Sequence, residues 1–138
     1  MANLIALTDF TAEYRIANIS DPNKASQLQE YIDLHEADFI KSVLGIEIPS
    51  DDDDLKALLK KACVIYIYFL YVGKAIVNLS DSGYSIAKLE NAEIINPVFQ
   101  TNKVWNELNK AVYYVWDYCN TKNINIKPTF KIVYASWL

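Results

Sequence analysis

Residues 63–77, CVIYIYFLYVGKAIV, form an apolar stretch that severely limits what the chain can fold into. Three environments suit such a segment: a membrane, a buried strand, or a helix enclosed by protein. The uninterrupted apolar run to which it belongs, 62–72, would rise only about 16 Å as a helix, whereas a hydrocarbon core is about 30 Å thick. A strand is disfavoured because the stretch continues a helical pattern on its N-terminal side. We therefore expect a helix enclosed by protein, either within its own bundle or by neighbouring subunits.

That helical pattern begins after the acidic run Asp51–Asp54. Carboxylates at a helix start can cap free amides, and they suit the positive end of the helix dipole. Beyond the run, apolar residues recur every three or four positions, which predicts a helix over 54–78. The face opposite the main apolar stripe is also apolar. Between Lys60 and Lys74 that face offers only Cys63, Ile67, Leu70 and Tyr71.

An earlier helix is predicted over 22–44. Asp21 can act as its N-cap, Pro22 suits the first helical position, and Gly45 can end it in the left-handed conformation. Its inward face is an apolar stripe in which the only histidine of the chain also falls. The stripe consists of Leu28, Ile32, His35, Phe39 and Val43.

A last helix is predicted over 102–119, starting near Thr101. Its inward face is Val104, Leu108, Ala111, Val115 and Cys119. The predicted fold is thus mainly α, a small helical bundle of three long helices plus a short N-terminal helix. A long loop or small hairpin at about 80–100 and an extended C-terminal tail complete it. The length of 138 residues fits a single domain, 1–138.

Charge and cysteine content narrow the possible partners and compartment. The formal net charge is -4, so the chain has no basic field with which to hold nucleic-acid phosphates. Cys63 and Cys119 are the only cysteines, and both lie in apolar helical patterns, which predicts reduced, unreactive thiols. The first residues lack the basic and apolar regions of a secretory signal, so we expect a cytoplasmic origin.

No catalytic motif is visible in the sequence. His35 lies in an apolar stripe, so a core or interface histidine is favoured over a catalytic base. The four aspartates at 51–54 lack the spacing and turn glycine of a calcium loop, and the three glycines are not clustered as in a phosphate loop. We therefore predict a protein that is not an enzyme, with no catalytic, cofactor-binding or metal site and no cofactor.

The order of segments resembles a known family. A short LTDFTAEYR lead is followed by YIDLHEADFIKSVLGIEI, then LKALLKKACVIYIYFLYVGKAIV, a polar excursion, and WNELNKAVYYVWDYC. This order is similar to that of head–tail connector, or adaptor, proteins of tailed bacteriophages and prophages, especially of the Bacteroidetes-phage type. The similarity covers nearly the whole chain but lies in helix order and aromatic content, not in an invariant chemical motif.

The resemblance implies a structural virion protein at the neck, assembled in the host cytoplasm. Such a subunit forms a homo-oligomeric ring that joins the portal to the tail or other neck proteins and lines the DNA exit conduit. DNA passes through without sequence-specific binding, an acidic subunit suits that task, and no membrane is involved. The family carries no catalytic residues that could be transferred to this chain.

Aromatic residues outside the main core stripes are the candidates for an interface: Tyr71, Tyr114, Trp116 and the terminal Trp137, together with the 80–100 segment. We expect charged replacements of Tyr114 or Trp116 to leave folding nearly intact while abolishing assembly. Two alternatives remain open. One is a monomeric helical regulator or inhibitor encoded by a mobile element, and the other is a helical small-ligand-binding protein, which would need a closed apolar cavity.

Overall fold

The chain is mainly α-helical in a computed structural model that describes residues 3–11, 14–16, 20–49, 51–81 and 97–133. Within these ranges a short 3-10 helix precedes three long helices. Their bounds are Leu7–Asp9 for the 3-10 helix, Pro22–Leu44 for α1, Asp53–Asp81 for α2 and Pro97–Thr121 for α3. The mainly α fold is therefore confirmed, with 63–72 inside α2 as expected.

The segment predicted as a loop or hairpin at 80–100 is shorter than expected. Helix α2 continues to Asp81, and α3 begins at Pro97 instead of near Thr101. Proline is favoured in the first turn of a helix because its missing N–H has no partner there in any case. The remaining part of the prediction, 82–96, lies outside the described residues.

Helix α2 packs against both α1 and α3 and so forms the centre of the bundle. Its residues 62–65 and 67 are all buried, so protein encloses this part of the apolar stretch. The predicted inward face of α3 is buried throughout, as are the aliphatic and phenylalanine positions of the α1 stripe. Within the described ranges, no helix is long and apolar enough to cross a membrane.

Helix α1 begins as predicted. The Asp21 carboxylate accepts the N–H of Asn23 at 2.9 Å, and Pro22 occupies the first helical position. The Asp21 backbone carbonyl then accepts the N–H of Ala25 at 2.9 Å. The cap thus satisfies an amide that has no partner within the helix.

The end of α1 has four carbonyls that lack a partner within the helix, and every one of them accepts a hydrogen bond from elsewhere. The donors belong to the turn after α1, to α3, and to the C-terminal tail, residues 124–133. The bonds run from Gly45 N–H to Lys41 O (2.7 Å), Thr129 and Phe130 N–H to Ser42 O (2.8 and 2.9 Å), Trp116 Nε1–H to Val43 O (2.8 Å), and Lys127 N–H to Leu44 O (2.8 Å). The end of α1 therefore ties three parts of the chain together.

Gly45 permits this arrangement in two ways. Its φ of 67° is left-handed, as the sequence predicted, and side chains are disfavoured there. The tail also passes so close that a Cβ atom on Gly45 would lie 1.9 Å from the carbonyl oxygen of Lys127. Any other residue must push the tail away from α1.

Helix α3 ends with a left-handed residue too, here Asn123 at φ 58°. The N–H of Ile124 bonds to Cys119 O at 2.8 Å, and the N–H of Asn123 bonds to Asn120 O at 3.2 Å. This pair of bonds is the Schellman arrangement, which reverses the chain and sends the tail back towards α1.

A buried carboxylate, which the sequence analysis missed, fixes the N-terminal segment. Glu36 on α1 is buried, and its Oε1 accepts the N–H of Ile5 at 2.7 Å. Burial raises the pKa of Glu36, and backbone bonds from Ile5 and Leu4 oppose that shift. Its spacing of four from Ile32 placed it on the apolar face, so the position, though not the partner, could have been read from the sequence.

We predict that Gly45→Ala lowers the free energy of unfolding by about 2 to 4 kcal/mol, because left-handed strain adds to loss of the Lys127 bond. Chemical denaturation followed by circular dichroism measures this. Asn123→Gly is the matched control, since it puts glycine at the other left-handed position, and it should change stability by no more than about 0.5 kcal/mol. Equal effects of the two variants would contradict the proposed close approach.

Candidate interaction surface

The described side chains do not bring together the groups that a metal site would need. No cluster of three histidine, cysteine or acidic residues that could hold an ion occurs in that part of the chain. His35 is half-buried and stacks on the Tyr31 ring with centroids 5.8 Å apart. Cys63 and Cys119 are free and buried, and burial raises the pKa of both thiols. Their lack of reactivity remains a prediction.

Asp52, within the acidic run, joins the start of α2 to the end of α3. Its Oδ1 accepts the N–H of Leu55 at 3.0 Å and the hydroxyl of Tyr118 at 2.7 Å. The Leu55 bond, followed by the Tyr118 bond, lowers the pKa of Asp52. The same hydrogen bond from its hydroxyl to Asp52 raises the pKa of Tyr118 to about 12. The run is thus a helix start with a specific tertiary contact.

A shallow groove of about 350 Å³ lies between the N-terminal segment and α2. The Lys60 ammonium and the Asp9 carboxylate in its wall form an ion pair at 3.2 Å. The Tyr14 hydroxyl, also in the wall, donates a hydrogen bond to Glu107. Because this groove is open to solvent, it does not correspond to the closed apolar cavity that a small-ligand-binding protein would need.

Two of the predicted interface residues make contacts within the subunit. Tyr71 is half-buried and packs edge-on against the Tyr31 ring, with centroids 5.8 Å apart. Trp116 is half-buried, and its indole N–H bonds to the Val43 carbonyl at 2.8 Å. Trp137 lies outside the described residues. An interface role for these residues stays a prediction.

The contact of Trp116 corrects one expectation. A charged residue at this position would leave the Val43 carbonyl without its donor, so folding should not stay intact as the sequence pattern suggested. The sequence could not reveal this bond because Val43 lies 73 positions away.

Tyr114 differs from Tyr71 and Trp116 because it is largely exposed. Its side chain and that of neighbouring Tyr113 are each 54% accessible. Their rings meet edge-on, with centroids 6.1 Å apart. Tyr113 was not singled out from the sequence, although the doublet on a polar helix face was visible. We call these two residues the tyrosine patch.

Charged residues flank the tyrosine patch along α3. Lys110 lies one turn before it and Asp117 one turn after it, and both are exposed. An aromatic centre between charges of both signs is the composition that protein interfaces favour. The patch and its two flanking charges are therefore the part of α3 on which an interface hypothesis can be built.

We predict that Trp116→Phe lowers the free energy of unfolding by about 1 to 3 kcal/mol, because the Val43 carbonyl loses its donor while the aromatic packing is largely kept. Tyr114→Phe, which alters an exposed ring on the same helix, should stay within about 0.5 kcal/mol. Unchanged unfolding of Trp116→Phe together with loss of assembly would instead assign Trp116 to an interface.

The Asp52–Tyr118 bond predicts a defined pH window. The pKa of Asp52 is lowered in the folded protein, so its carboxylate stabilises the fold at pH values above the ordinary pKa of 3.8. That stabilisation is lost as the pH falls through the lowered pKa. The pKa of Tyr118 is raised in the folded protein, so its neutral hydroxyl stabilises the fold at pH values below the ordinary pKa of 10.0. That stabilisation is lost as the pH rises towards about 12.

Unfolding of wild type and Tyr118→Phe, compared near neutral pH and above pH 10.0, tests the alkaline limb. The advantage of wild type should shrink with rising pH, and in an Asp52→Asn background it should already be smaller at neutral pH. A wild-type advantage that is constant across this range would contradict the predicted coupling between Tyr118 ionisation and folding.

Comparisons with known proteins give no relative from which a function could be transferred. No protein-family model matches the chain, and neither a curated protein nor a solved structure matches it. What the chain does must therefore be inferred from its own surfaces.

Proposed function

We propose that the chain is a structural subunit that assembles into a ring, as a head–tail connector of a tailed bacteriophage. The observation that carries the proposal is the tyrosine patch, where two adjacent aromatic side chains on α3 are each 54% accessible. The order of segments, which resembles that of connector proteins, supplies the biological setting.

The energetics of aromatic residues favour an assembly role for the tyrosine patch. An aromatic side chain buried at an interface centre contributes about 2 kcal/mol or more, and its few rotatable bonds make ordering cheap. The exposed charges of Lys110 and Asp117 can form the polar rim around it.

The charge of the subunit suits a conduit for DNA. With 17 acidic and 13 basic residues, the chain has a formal net charge of -4. Lysine and arginine clusters would hold passing phosphates and slow their movement, whereas an acidic wall does not bind them. In this proposal the partners are further copies of the chain, the portal, and tail or other neck proteins.

The test is the oligomeric state of the full chain, measured by native mass spectrometry and sedimentation velocity. Wild type should form a closed oligomer, alone or with a portal-type partner. The Tyr113→Lys/Tyr114→Lys double variant should form no closed ring while its helicity stays unchanged, because both tyrosine side chains lie outside the core. Electron microscopy of the wild-type oligomer should show rings.

Leu34→Lys is the matched control, since Leu34 is also a largely exposed apolar residue, 60% accessible, but lies on α1. It should assemble like wild type. A wild-type chain that remains monomeric with and without such a partner would refute the proposal and favour the regulator or inhibitor. Formation of the closed ring by the double variant would remove the patch from the interface.

A further inference from the structure

Two side chains of α3 hold the C-terminal tail by its backbone. Trp105 Nε1 and Asn109 Nδ2, one helical turn apart, both donate to the carbonyl of Val133, each at 2.7 Å. The Val133 side chain itself is 61% accessible. Both donors bond to the same backbone carbonyl and neither bonds to the Val133 side chain. Trp105 and Asn109 therefore bind main chain and not a particular residue.

The Asn109 amide uses only its nitrogen in this contact, and its oxygen makes no hydrogen bond. Its side chain is completely buried, yet Oδ1 has no hydrogen-bond partner. A buried amide oxygen without a donor is energetically unfavourable, so such groups are rarely left unpaired. An extended peptide presents N–H and C=O groups along one edge. The side-chain amide of an asparagine can accept a hydrogen bond from such an N–H and donate one to such a C=O.

The other contacts of the tail also use groups that could bind the tail of another copy equally well. The N–H groups of Thr129 and Phe130 bond to Ser42 O on α1. The Phe130 ring lies between Phe39 of α1 and Trp105 of α3, with centroid distances of 5.8 and 6.1 Å. These contacts use main-chain amides and one aromatic ring.

We propose that this tail site, made by Phe39, Ser42, Leu44, Trp105 and Asn109, is an intermolecular site for an extended peptide, and that its ligand is the C-terminal segment of a second copy. That segment is the one whose fit to the site is established, because the chain's own tail already makes each contact. Exchange of an identical element between copies is a low-cost route to assembly.

The covalent link within one chain explains why Asn109 is left half used. The tail that leaves α3 after Thr121 turns at Asn123 and enters the tail site at Lys127, whose N–H bonds to Leu44 O, and this short path fixes its register. A tail from a second copy is free of that tether, so it can keep the bonds to Ser42 and Leu44 while its part near Val133 adjusts to bring an N–H to Asn109 Oδ1. The inference does not require the tyrosine patch or a ring and holds for any exchanged oligomer.

The first test uses a fluorescent peptide with the sequence of residues 127–138 and the full chain carrying Phe130→Ser, which weakens its own tail. Fluorescence anisotropy should show saturable binding that is tighter than binding to wild type. Adding Asn109→Ala to this receptor should weaken binding at least about fivefold, as loss of one hydrogen bond implies.

Asn120→Ala is the matched control, because Asn120 is an exposed asparagine on the same helix, and it should bind like the parent receptor. If Asn109→Ala fails to fold, Trp105→Phe removes the indole donor and keeps the ring. No binding to the Phe130→Ser receptor, or equal binding by the parent and the site variants, would overturn the inference.

The second test mixes two full chains with complementary lesions. One carries Trp105→Phe and Asn109→Ala and keeps an intact tail, and the other carries Phe130→Ser and keeps an intact site. Native mass spectrometry should detect a mixed oligomer that neither chain forms with itself. A tail that binds only its own chain would give no mixed species. The same mixing with Tyr113→Lys/Tyr114→Lys in both chains separates this contact from the proposed ring interface, because the exchanged pair should persist.

Discussion

The C-terminal end of α1 is the constraint on which the other contacts depend. Four carbonyls there have no partner in the helix, and each would cost about 1 to 3 kcal/mol if buried without a donor. Their donors are Gly45, three amides of the tail, and the indole of Trp116. This one requirement fixes where the tail lies, how α3 is placed relative to α1, and why glycine must follow α1. The tail is thus held mainly as a cap.

Many of the aromatic side chains of the chain pack against one another inside the subunit. The Phe39 and Tyr66 rings stack with centroids 4.4 Å apart, and Phe69 meets Trp105 at 5.2 Å. These pairs join helices α1, α2 and α3 and contribute beyond their buried area. A high aromatic content is therefore weak evidence for an interface. What distinguishes the tyrosine patch is exposure at 54% per ring, and the case for assembly rests on that difference.

The sequence predicted what short-range patterns determine. Helical periodicity located α1, α2 and α3, and Asp21 and Gly45 marked the ends of α1. The same periodicity placed Tyr114 outside the main core stripes, and the structure shows its ring exposed. The missed features all depend on partners far along the chain: Glu36 with Ile5, Trp116 with Val43, and Asn109 with Val133. Such bonds are set by tertiary packing, so spacing rules could identify the residues but not their roles.

The two proposed contacts differ in symmetry, and that difference bears on the assembly. A tail given by one copy and received by the next joins two different surfaces, and such a contact closes into a ring when the rotation between copies allows it. Reciprocal exchange instead closes a dimer and uses both tails at once. The tyrosine patch lies within about one turn of Asn109 on α3, so a tail arriving from a neighbour brings that neighbour close to the patch. Taken together, the two proposals predict a single continuous interface along α3, in which exchange sets the direction of assembly and the tyrosines add buried area.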